Sequence, residues 1–331
     1  MEIIRIRLDT SKLSFQVHGI DAAGGAPLRR RLSRGQVEQV FGALAPTTVG
    51  LEACGSSHYW ARTLVRLGHE VRLVPPQYVK PYVKRSKTDA ADAEAICEAM
   101  DRPGMRFVPV KSPDQQAAAM SLKVRALLVK QRTMAINAVR GHLAEFGVVG
   151  AKGGKLDLLM TRARPELPAL AAQMLDTLMA TLSGLEAQLA EVDAMLLRQH
   201  RQSEVSQRLA AVPGVGPITA LTVVARTPDP HAFRSARHFA AALGLTPREH
   251  STGGKQRLGA ITRAGDPELR RLLVLGATAV LRQARQRGSG DPWLMDLLAR
   301  RPPKVVAVAL ANKTARRLWA MMTRGEPYRA P

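Results

Sequence analysis

The chain has 331 residues, 46% of them hydrophobic, which is enough for two folded domains with a connector and argues against disorder. Its two cysteines, Cys54 and Cys97, exclude a disulfide framework and a cysteine-based zinc site, and both are expected to be buried thiols. No apolar stretch reaches the roughly 18 residues of a membrane span. The N-terminus is charged too early for a signal peptide, so a soluble cytoplasmic protein without a membrane partner is expected.

The net charge of +22 comes from 49 Lys and Arg residues against 27 Asp and Glu residues, and it is concentrated late in the chain. Residues 201–331 alone contain 22 basic side chains and 8 acidic ones. Such a field favours a polyanion, since each neutralised phosphate of a nucleic acid releases counterions. A basic tail would carry the same charge, but a tail lacks the apolar periodicity of this region. A nucleic-acid partner is therefore predicted.

The first residues of the chain alternate as strands do. Residues 3–9 and 13–17 form a predicted β-hairpin with one covered face, and a third strand is predicted at 28–33. Buried strands follow at 47–52 and 70–74, separated by apolar residues at helical spacing. Strands that begin antiparallel and then alternate with helices predict a mixed α/β sheet.

A basic segment follows the last of these strands. The stretch 75–87 has three prolines and four Lys or Arg residues, which predicts a mobile loop. Its Lys84, Arg85 and Lys87 can follow a phosphate backbone, although a solvated linker explains them equally well. A helix is predicted from about 88 to 100.

The middle of the chain, from 114 to 200, is predicted to be long helices. Leucines from Leu175 to Leu196 follow a 3-4-3-4 rhythm for three heptads, and a similar seven-residue repeat begins at Leu122. The glycine-rich stretch 147–155 between them is a predicted hinge. The pattern fits two helices folded back on each other or a coiled coil between protomers, and near-neutral charge favours self-association.

The last third reads as a compact helical domain. Gly214 and Gly216 lie in a turn between two apolar helical stretches within 209–225, as in a helix-hairpin-helix, whose free amides can grip a phosphate. A plain helix–helix turn is the alternative. Two further helices are predicted at about 266–287 and 303–323, and both carry several arginines.

Four carboxylates are the candidate catalytic acids. Asp9 and Glu52 each end a predicted strand, and Asp89 and Asp92 are three residues apart on one helix face. Two like charges about 4 Å apart repel by about 4 kcal/mol at an effective dielectric of 20, so a cluster of four stays ionised only around cations. Two Mg²⁺ ions in such a cluster suit phosphodiester chemistry. Singly, each acid is also explained as a turn, helix-start or surface residue.

A glycine-rich segment carries the second candidate chemistry. Ser251 and Thr252 precede Gly253 and Gly254, and cations surround them at Arg248, Lys255, Arg257 and Arg263. A hydroxyl in these surroundings can attack a phosphate while the cations stabilise the developing negative charge. The spacing is not that of a phosphate-binding Walker A loop. The alternative is a polar loop that only touches backbone phosphates.

At these segments the chain resembles a known family. LDTSKLSFQVHG, GLEACGSSHYWA and KRSKTDAADAEAI resemble the DEDD segments of the RNA-guided insertion-sequence recombinases (insertion-sequence family one-ten, subgroup eleven-eleven). GLTPREHSTGGKQRLGAIT with LRRLL resembles the C-terminal transposase domain of the same family. The resemblance spans almost the entire chain, and the ordered combination of segments is highly specific.

The resemblance implies a RuvC-like, ribonuclease-H-type domain in which Asp9, Glu52, Asp89 and Asp92 bind Mg²⁺. It also implies a coiled-coil connector and a C-terminal domain that supplies a nucleophilic serine. Family members work as dimers that pair into tetramers, with donor DNA, target DNA and a structured non-coding guide RNA as partners. Cleavage in the family passes through a covalent phosphoserine link and strand exchange.

Two positions depart from the family pattern. The nucleophilic serine usually precedes the glycine directly; here Thr252 has that position and Ser251 comes one residue earlier. We favour Ser251 because its primary hydroxyl is less hindered. The second departure is Arg5 and Arg7 in the strand that leads to Asp9, where they would pair with nearby acids and weaken metal affinity.

The interpretation is therefore a three-part chain with an α/β domain at 1–112, coiled-coil helices at 113–202 and a helical transposase domain at 203–331. Its leading function is an RNA-guided, Mg²⁺-dependent DNA recombinase. The alternatives are a RuvC-like or ribonuclease-H-like nuclease or junction resolvase, and a non-enzymatic nucleic-acid-binding protein. The candidate nucleic-acid contacts are Lys84, Arg85, Lys87, Gly214, Gly216, Arg248, Gly253, Gly254, Lys255, Arg257, Arg263, Arg270 and Arg271.

Overall fold

The computed structural model describes residues 3–10, 13–23, 25–79, 96, 98–100, 102, 104–151 and 153–329. Internal contacts divide the chain into two compact units, Met1–Gln115 and Gln116–Pro331. Each unit has its own hydrophobic core. The division into three domains predicted from the sequence stays a prediction. None of the described helices is both long and apolar enough to cross a membrane.

The N-terminal unit contains a five-stranded sheet with the strand order β3-β2-β1-β4-β5. Its strands are β1 (Ile3–Thr10), β2 (Ser14–Asp21), β3 (Leu28–Ser33), β4 (Thr48–Glu52) and β5 (Glu70–Val74). The first three are antiparallel neighbours, whereas β4 pairs in parallel with both β1 and β5. The predicted mixed α/β sheet is therefore confirmed.

Helices α1 (Val37–Gly42) and α2 (Ser57–Arg66) accompany the sheet. The fully buried Phe15 of β2 meets Trp60 of α2 edge to face, with ring centroids 4.9 Å apart. The prediction of a loop at 75–87 is wrong for its first residues, because Pro76–Val79 form the short helix α3. A proline is tolerated in a first helical turn, where its missing amide hydrogen has no partner to lose.

The segment before Arg102 packs on the sheet. Residues 96 and 98–100 are helical, and Ile96 and Met100 are buried in a small cluster with Val74 and Val79. A side chain at Gly50 of β4 would overlap the sulfur of Met100. The glycine therefore allows the helical segment to lie directly against β4.

Helix α4 (Pro113–Glu145) contains the boundary between the two units in its first turn, and α5 (Leu156–Ala163) and α6 (Ala169–Gln202) follow in the C-terminal unit. Arg125 contacts Asp193 at 2.5 Å and Arg132 contacts Glu186 at 3.8 Å, so a step of seven residues along α4 matches a step of seven backwards along α6. The two long helices therefore run antiparallel within one chain, which is the helical-hairpin alternative. A coiled coil between protomers stays a prediction, and α5 was not predicted.

The remaining helices form the core around the last helix. They are α7 (Glu204–Ala210), α8 (Pro217–Arg226), α9 (Ala236–Ala242), α10 (Pro267–Arg287), α11 (Pro292–Arg300) and α12 (Pro303–Arg324). Leu273 and Leu281 of α10 and Leu310 and Leu318 of α12 are buried in one cluster. The predicted helices at 266–287 and 303–323 are confirmed, whereas α9 and α11 were not predicted.

Gly214 explains the turn between α7 and α8. Its φ of +82° is a conformation that L side chains rarely adopt, and a Cβ there would lie 2.7 Å from the carbonyl oxygen of Gly276 in α10. A Cβ at Gly276 would in turn overlap the carbonyl oxygen of Gly214. The two glycines let the turn and α10 approach backbone to backbone, so Gly214 has a packing role.

Gly276→Ala is expected to destabilise the protein, although alanine ordinarily favours a helix over glycine by about 0.5–1 kcal/mol. The added methyl group has no space beside Gly214, and such overpacking costs about 1–3 kcal/mol. Gly184→Ala in α6 is the control, because nothing lies within 4 Å of its Cβ position and stabilisation is expected. Urea unfolding followed by circular dichroism measures both. Equal stability of the two variants would contradict the close approach.

Candidate functional site

The carboxyl ends of β1 and β4 bring two of the four predicted acids together. The parallel register pairs Arg7 with Gly50, and continuing it by two residues places Asp9 beside Glu52. Paired residues of neighbouring strands point to the same face of a sheet. Both side chains are partly exposed, with Asp9 at 38%. These two carboxylates therefore share one edge of the sheet.

The other two acids, Asp89 and Asp92, lie outside the described residues, as do Lys84, Arg85 and Lys87. What the structure describes is the helical segment just after them, whose Ile96 and Met100 pack near Gly50, two residues before Glu52. Within the described part of the chain, no three His, Cys, Asp or Glu side chains form a group that could hold a metal.

Arg7 is a cation beside the acidic edge. It is buried, at 3% exposure, and its Nη2 atom lies 3.8 Å from Oδ1 of Asp9. The sequence suggested that Arg7 pairs with a nearby acid, and this ion pair with Asp9 is present. A cation at this distance partly neutralises Asp9 and competes with a metal ion for it.

Hydroxyl and thiol groups border the same edge. Thr10, next to Asp9, has its hydroxyl 3.2 Å from the sulfur of Cys54 and accepts a hydrogen bond from Ser56 at 3.4 Å. Burial acts to raise the pKa of the Cys54 thiol, but hydrogen bonds with Thr10, Ser56 and Ser57 outweigh it and the pKa is lowered. The prediction of a buried thiol is wrong for Cys54, which is exposed because it follows the end of β4. Cys97 lies outside the described residues.

The second candidate site is a β-hairpin formed by β6 (Pro247–Glu249) and β7 (Leu258–Ile261). The amide of Lys255 donates to the carbonyl of Thr252 at 3.0 Å and closes a two-residue turn. Gly253 and Gly254 have φ of +54° and +75°, the pair of positive angles that a type I′ turn requires. The sequence indicated the turn but not the hairpin, whose strands are too short to show alternation.

The structure distinguishes the two candidate nucleophiles. The Ser251 hydroxyl donates to Oε1 of Glu249 at 2.9 Å and accepts from the backbone amide of Arg257 at 3.1 Å. The Thr252 hydroxyl has no hydrogen bond to the described residues. Ser251 and Glu249 are both exposed, like every residue from 247 to 260. Sequence reasoning missed Glu249, because Ser251 lies beyond the end of β6 and no periodic pattern connects the two side chains.

The cations near the hairpin differ in how they are held. Lys255, Arg257 and Arg263 are exposed, and Arg263 is the only described residue other than glycine with a positive φ, at +57°. Arg248 is exposed and bonds the carbonyl of Thr262 at 3.4 Å.

Arg270 has a structural role. Its Nη1 atom donates to the carbonyls of Leu243 at 3.0 Å and Ala264 at 2.8 Å, which ties α10 to the loop before it. Its neighbour Arg271 is exposed on α10, and Gly216 is exposed at the start of α8. These two remain available to a phosphate.

A groove of about 1010 Å³ lies between the hairpin and α12. The groove is lined by apolar side chains, among them Ile261 and Val308. It is also lined by the cationic side chains of Lys304, Lys313, Arg316 and Arg317. Lys313 lies 4.0 Å over the ring of Trp293 and 3.1 Å from Asp291. Sequence reasoning noted the basic helix but missed Trp293, because only the packing of α11 on α12 brings the two together.

Comparisons with known proteins agree with this organisation. Residues 206–290 match a family model described as "Transposase IS116/IS110/IS902 family", and residues 7–147 match a model for the DEDD transposases of the IS110 type, described as "Transposase". The first match contains the hairpin with Ser251, and the second contains all four acids.

Three relatives extend the similarity over nearly the whole chain. A putative transposase y4pF/y4sB of Sinorhizobium fredii is 53% identical over 99% of this chain and 86% of its own length. A probable family 20 transposase of Pseudomonas aeruginosa is 50% identical over 99% of both chains. The transposase for insertion sequence element IS1111A of Coxiella burnetii is 39% identical over 97% of this chain and 90% of its own length.

Identity of 50% over 99% of both chains shows the family, and membership of a transposase family rules against a purely architectural role. The DEDD domain implies dependence on a divalent metal, and the carboxylate oxygens of Asp9 and Glu52 are donors that hard divalent cations prefer. Asp9 and Glu52 could therefore supply part of the ligand set of such an ion. The chain belongs to the IS110 family of insertion-sequence transposases, enzymes that cleave and recombine DNA.

Proposed function

We propose that this transposase is a site-specific DNA recombinase that is directed by a structured guide RNA and attacks DNA with a serine hydroxyl. The hydrogen bond between Ser251 and Glu249 carries this proposal. A nucleophile paired with a carboxylate on an exposed, cation-rich hairpin suits covalent attack on phosphate. A nuclease of the ribonuclease-H type, in contrast, would use only the acids at the sheet edge and would need no nucleophilic serine.

The acids Asp9, Glu52, Asp89 and Asp92 would hold Mg²⁺. The bound ion would neutralise charge on the scissile phosphate and orient it. Asp9 and Glu52 support this assignment by their shared edge.

Ser251 would form a bond from its Oγ to phosphorus while the sugar oxygen of the cleaved strand leaves. The resulting phosphoserine keeps the energy of the phosphodiester bond for rejoining to another strand, which is what strand exchange needs. The hindered Thr252 is not required, since its hydroxyl is not engaged by any described partner. Arg248, Lys255, Arg257 and Arg263 would contact the flanking phosphates.

Donor DNA, target DNA and the guide RNA would be recognised mainly through backbone and shape, with base pairing by the RNA choosing the sites. Residues 201–331 contain 22 basic and 8 acidic residues, and this positive charge supports binding to the phosphate backbone. The groove beside Trp293 combines an aromatic ring with four cations, an arrangement that suits an unstacked base and its phosphates.

RNA dependence is tested with the purified full-length protein. Sequencing of co-purified RNA is expected to return one abundant structured species encoded by the element itself. Recombination between plasmids that carry the donor and target sequences should stop after ribonuclease treatment and return when that RNA is added back. Unrelated RNA of equal length is the control. Recombination that survives complete RNA removal would reject guidance by RNA.

A second copy of the chain is the proposed partner of α4. Met120, Val124, Leu127 and Met134 follow helical spacing on this helix and are 63%, 41%, 54% and 60% exposed. An apolar stripe of this kind is covered in a stable protein, since apolar area left in water costs about 25 cal/mol per Å². The structure of one chain leaves it uncovered, so we propose a dimer through α4, with dimers pairing into tetramers.

Val124→Glu/Leu127→Glu is expected to lower the molecular mass of the particle in solution, because two charges would be buried in the dimer interface. The measurement is light scattering after size exclusion. Thr133→Glu, also exposed on α4 but outside the stripe, should leave the mass unchanged. Unchanged mass of the double variant, with wild-type helicity, would reject this interface.

A further inference from the structure

We propose that Glu249 is the general base that takes the proton of the Ser251 hydroxyl as that oxygen attacks DNA. The proposal rests on the proposed function of Ser251 as nucleophile. It assigns a catalytic role to a residue that is outside the DEDD acids and that belongs to the same hairpin as the nucleophile.

The geometry of the hairpin brings the two side chains together. Glu249 is the last residue of β6, and Ser251 follows two residues later, beyond the end of the strand. The resulting contact of 2.9 Å lies within the 2.6–3.2 Å in which a base can accept a proton directly. The hydroxyl hydrogen is on this contact because the carboxylate can only accept.

The second contact of the serine fixes its reacting lone pair. The amide of Arg257 donates to Oγ at 3.1 Å from the opposite side of the hairpin. This bond strengthens as negative charge develops on the oxygen, since an amide dipole binds an anion more strongly than a hydroxyl. Ser251 is therefore held between a proton acceptor and a donor that stabilises the deprotonated form.

Attack by Ser251 on DNA exchanges one bond to phosphorus for another. The Oγ–P bond forms, the bond from phosphorus to the sugar oxygen breaks, the serine proton moves to the Glu249 carboxylate, and the leaving sugar oxygen takes a proton from water. In rejoining, a sugar hydroxyl attacks the phosphoserine and loses its proton to water, while Glu249 returns its proton to the departing Oγ. One carboxylate thus serves cleavage as base and rejoining as acid.

His250 is the other candidate for the general base in this segment, but its ring does not lie beside the Ser251 hydroxyl. Its ring lies over Gly259 of β7, where a Cβ would be 3.6 Å from Cδ2 and 3.7 Å from Nε2. Among the described residues it forms no side-chain hydrogen bond with Ser251. His250 therefore provides a matched control: an ionisable neighbour in the same exposed hairpin whose ring has no hydrogen bond with Ser251.

An acid at this place needs an explanation, because it weakens phosphate binding. Glu249 is the only acidic residue between 244 and 265, a segment with four Lys and Arg residues. A carboxylate near a phosphate is repelled, so replacing it by a neutral group should tighten binding to DNA. A catalytic role predicts the opposite sign for the rate of attack.

Glu249→Gln separates these effects, because glutamine has nearly the same shape and still accepts a hydrogen bond from Ser251 but cannot take its proton. With the full-length protein, its co-purified RNA and DNA carrying the element's own ends, covalent adduct is measured in a single turnover, and DNA affinity is measured by filter binding. The expected rate loss is about 10²–10⁴-fold, the usual contribution of a general base. DNA affinity should be equal or higher.

Three further variants complete the test. Glu249→Asp, which keeps a carboxylate, should recover part of the rate, and His250→Gln should react like wild type. A Glu249→Gln rate within about threefold of wild type would overturn the inference while the Ser251 adduct leaves the recombinase proposal intact. If the wild type forms no adduct, or if Ser251→Ala still forms it, the proposed function fails and the base with it.

Discussion

Ser251→Ala is expected to eliminate the covalent protein–DNA adduct, whereas Thr252→Ala should form it at nearly the wild-type rate. Of these two hydroxyls, only that of Ser251 has both a proton acceptor and an amide donor among the described residues, at 2.9 and 3.1 Å. Loss of the nucleophile in a serine enzyme lowers kcat by on the order of 10⁶, so the adduct should fall below detection. Denaturing gels of end-labelled DNA measure it.

Two controls make this result specific. DNA affinity of Ser251→Ala should equal that of wild type, because a hydroxyl exchanged for hydrogen changes no charge. Strand cleavage must stop together with the adduct. Cleavage that persists in Ser251→Ala would identify a metal-dependent nuclease instead. An adduct that is lost in Thr252→Ala but kept in Ser251→Ala would assign the attack to Thr252.

The sheet was predictable because its pattern is local. Alternation along residues 3–9 and 13–17 specifies a covered face, and Glu70–Val74 was predicted with both bounds correct. The placement of Asp9 beside Glu52 followed from a general property of parallel strands, whose carboxyl ends meet at one edge. Asp89 and Asp92 lie outside the described residues, so their convergence with this edge stays a prediction.

The hairpin around Ser251 was only partly predictable. The Gly253-Gly254 pair indicates a tight turn, but strands of three and four residues carry too little alternation to be recognised. The roles of Glu249 and Arg270 depend on distances between side chains and backbone that no spacing encodes. The exposure of Cys54 was missed for a similar reason: residue type predicts burial on average, and the position after a strand end overrides it.

Glu52→Gln is expected to abolish DNA cleavage while leaving DNA binding intact. The variant keeps the size of the side chain and removes the charge that an oxygen-preferring divalent cation needs. Loss of a ligand should lower the cleavage rate by more than about 100-fold, since even outer-shell partners of a metal contribute 10–100-fold. Binding should persist because the basic residues are concentrated in 201–331.

The metal itself gives a readout besides activity. Adding Mg²⁺ or Mn²⁺ should raise the Tm of the wild type, because a ligand that binds only the folded state stabilises it, and this shift should vanish in Glu52→Gln. Glu70→Gln is the matched control. It lies at the start of β5, bonded to Arg72 and Thr48 and away from the edge with Asp9, so it should keep both cleavage and the metal-dependent shift.

Asp9→Asn should behave like Glu52→Gln but with lower stability, because it also weakens the contact with the buried Arg7. A wild-type metal shift in both Glu52→Gln and Asp9→Asn would place the ion elsewhere and separate this sheet edge from catalysis.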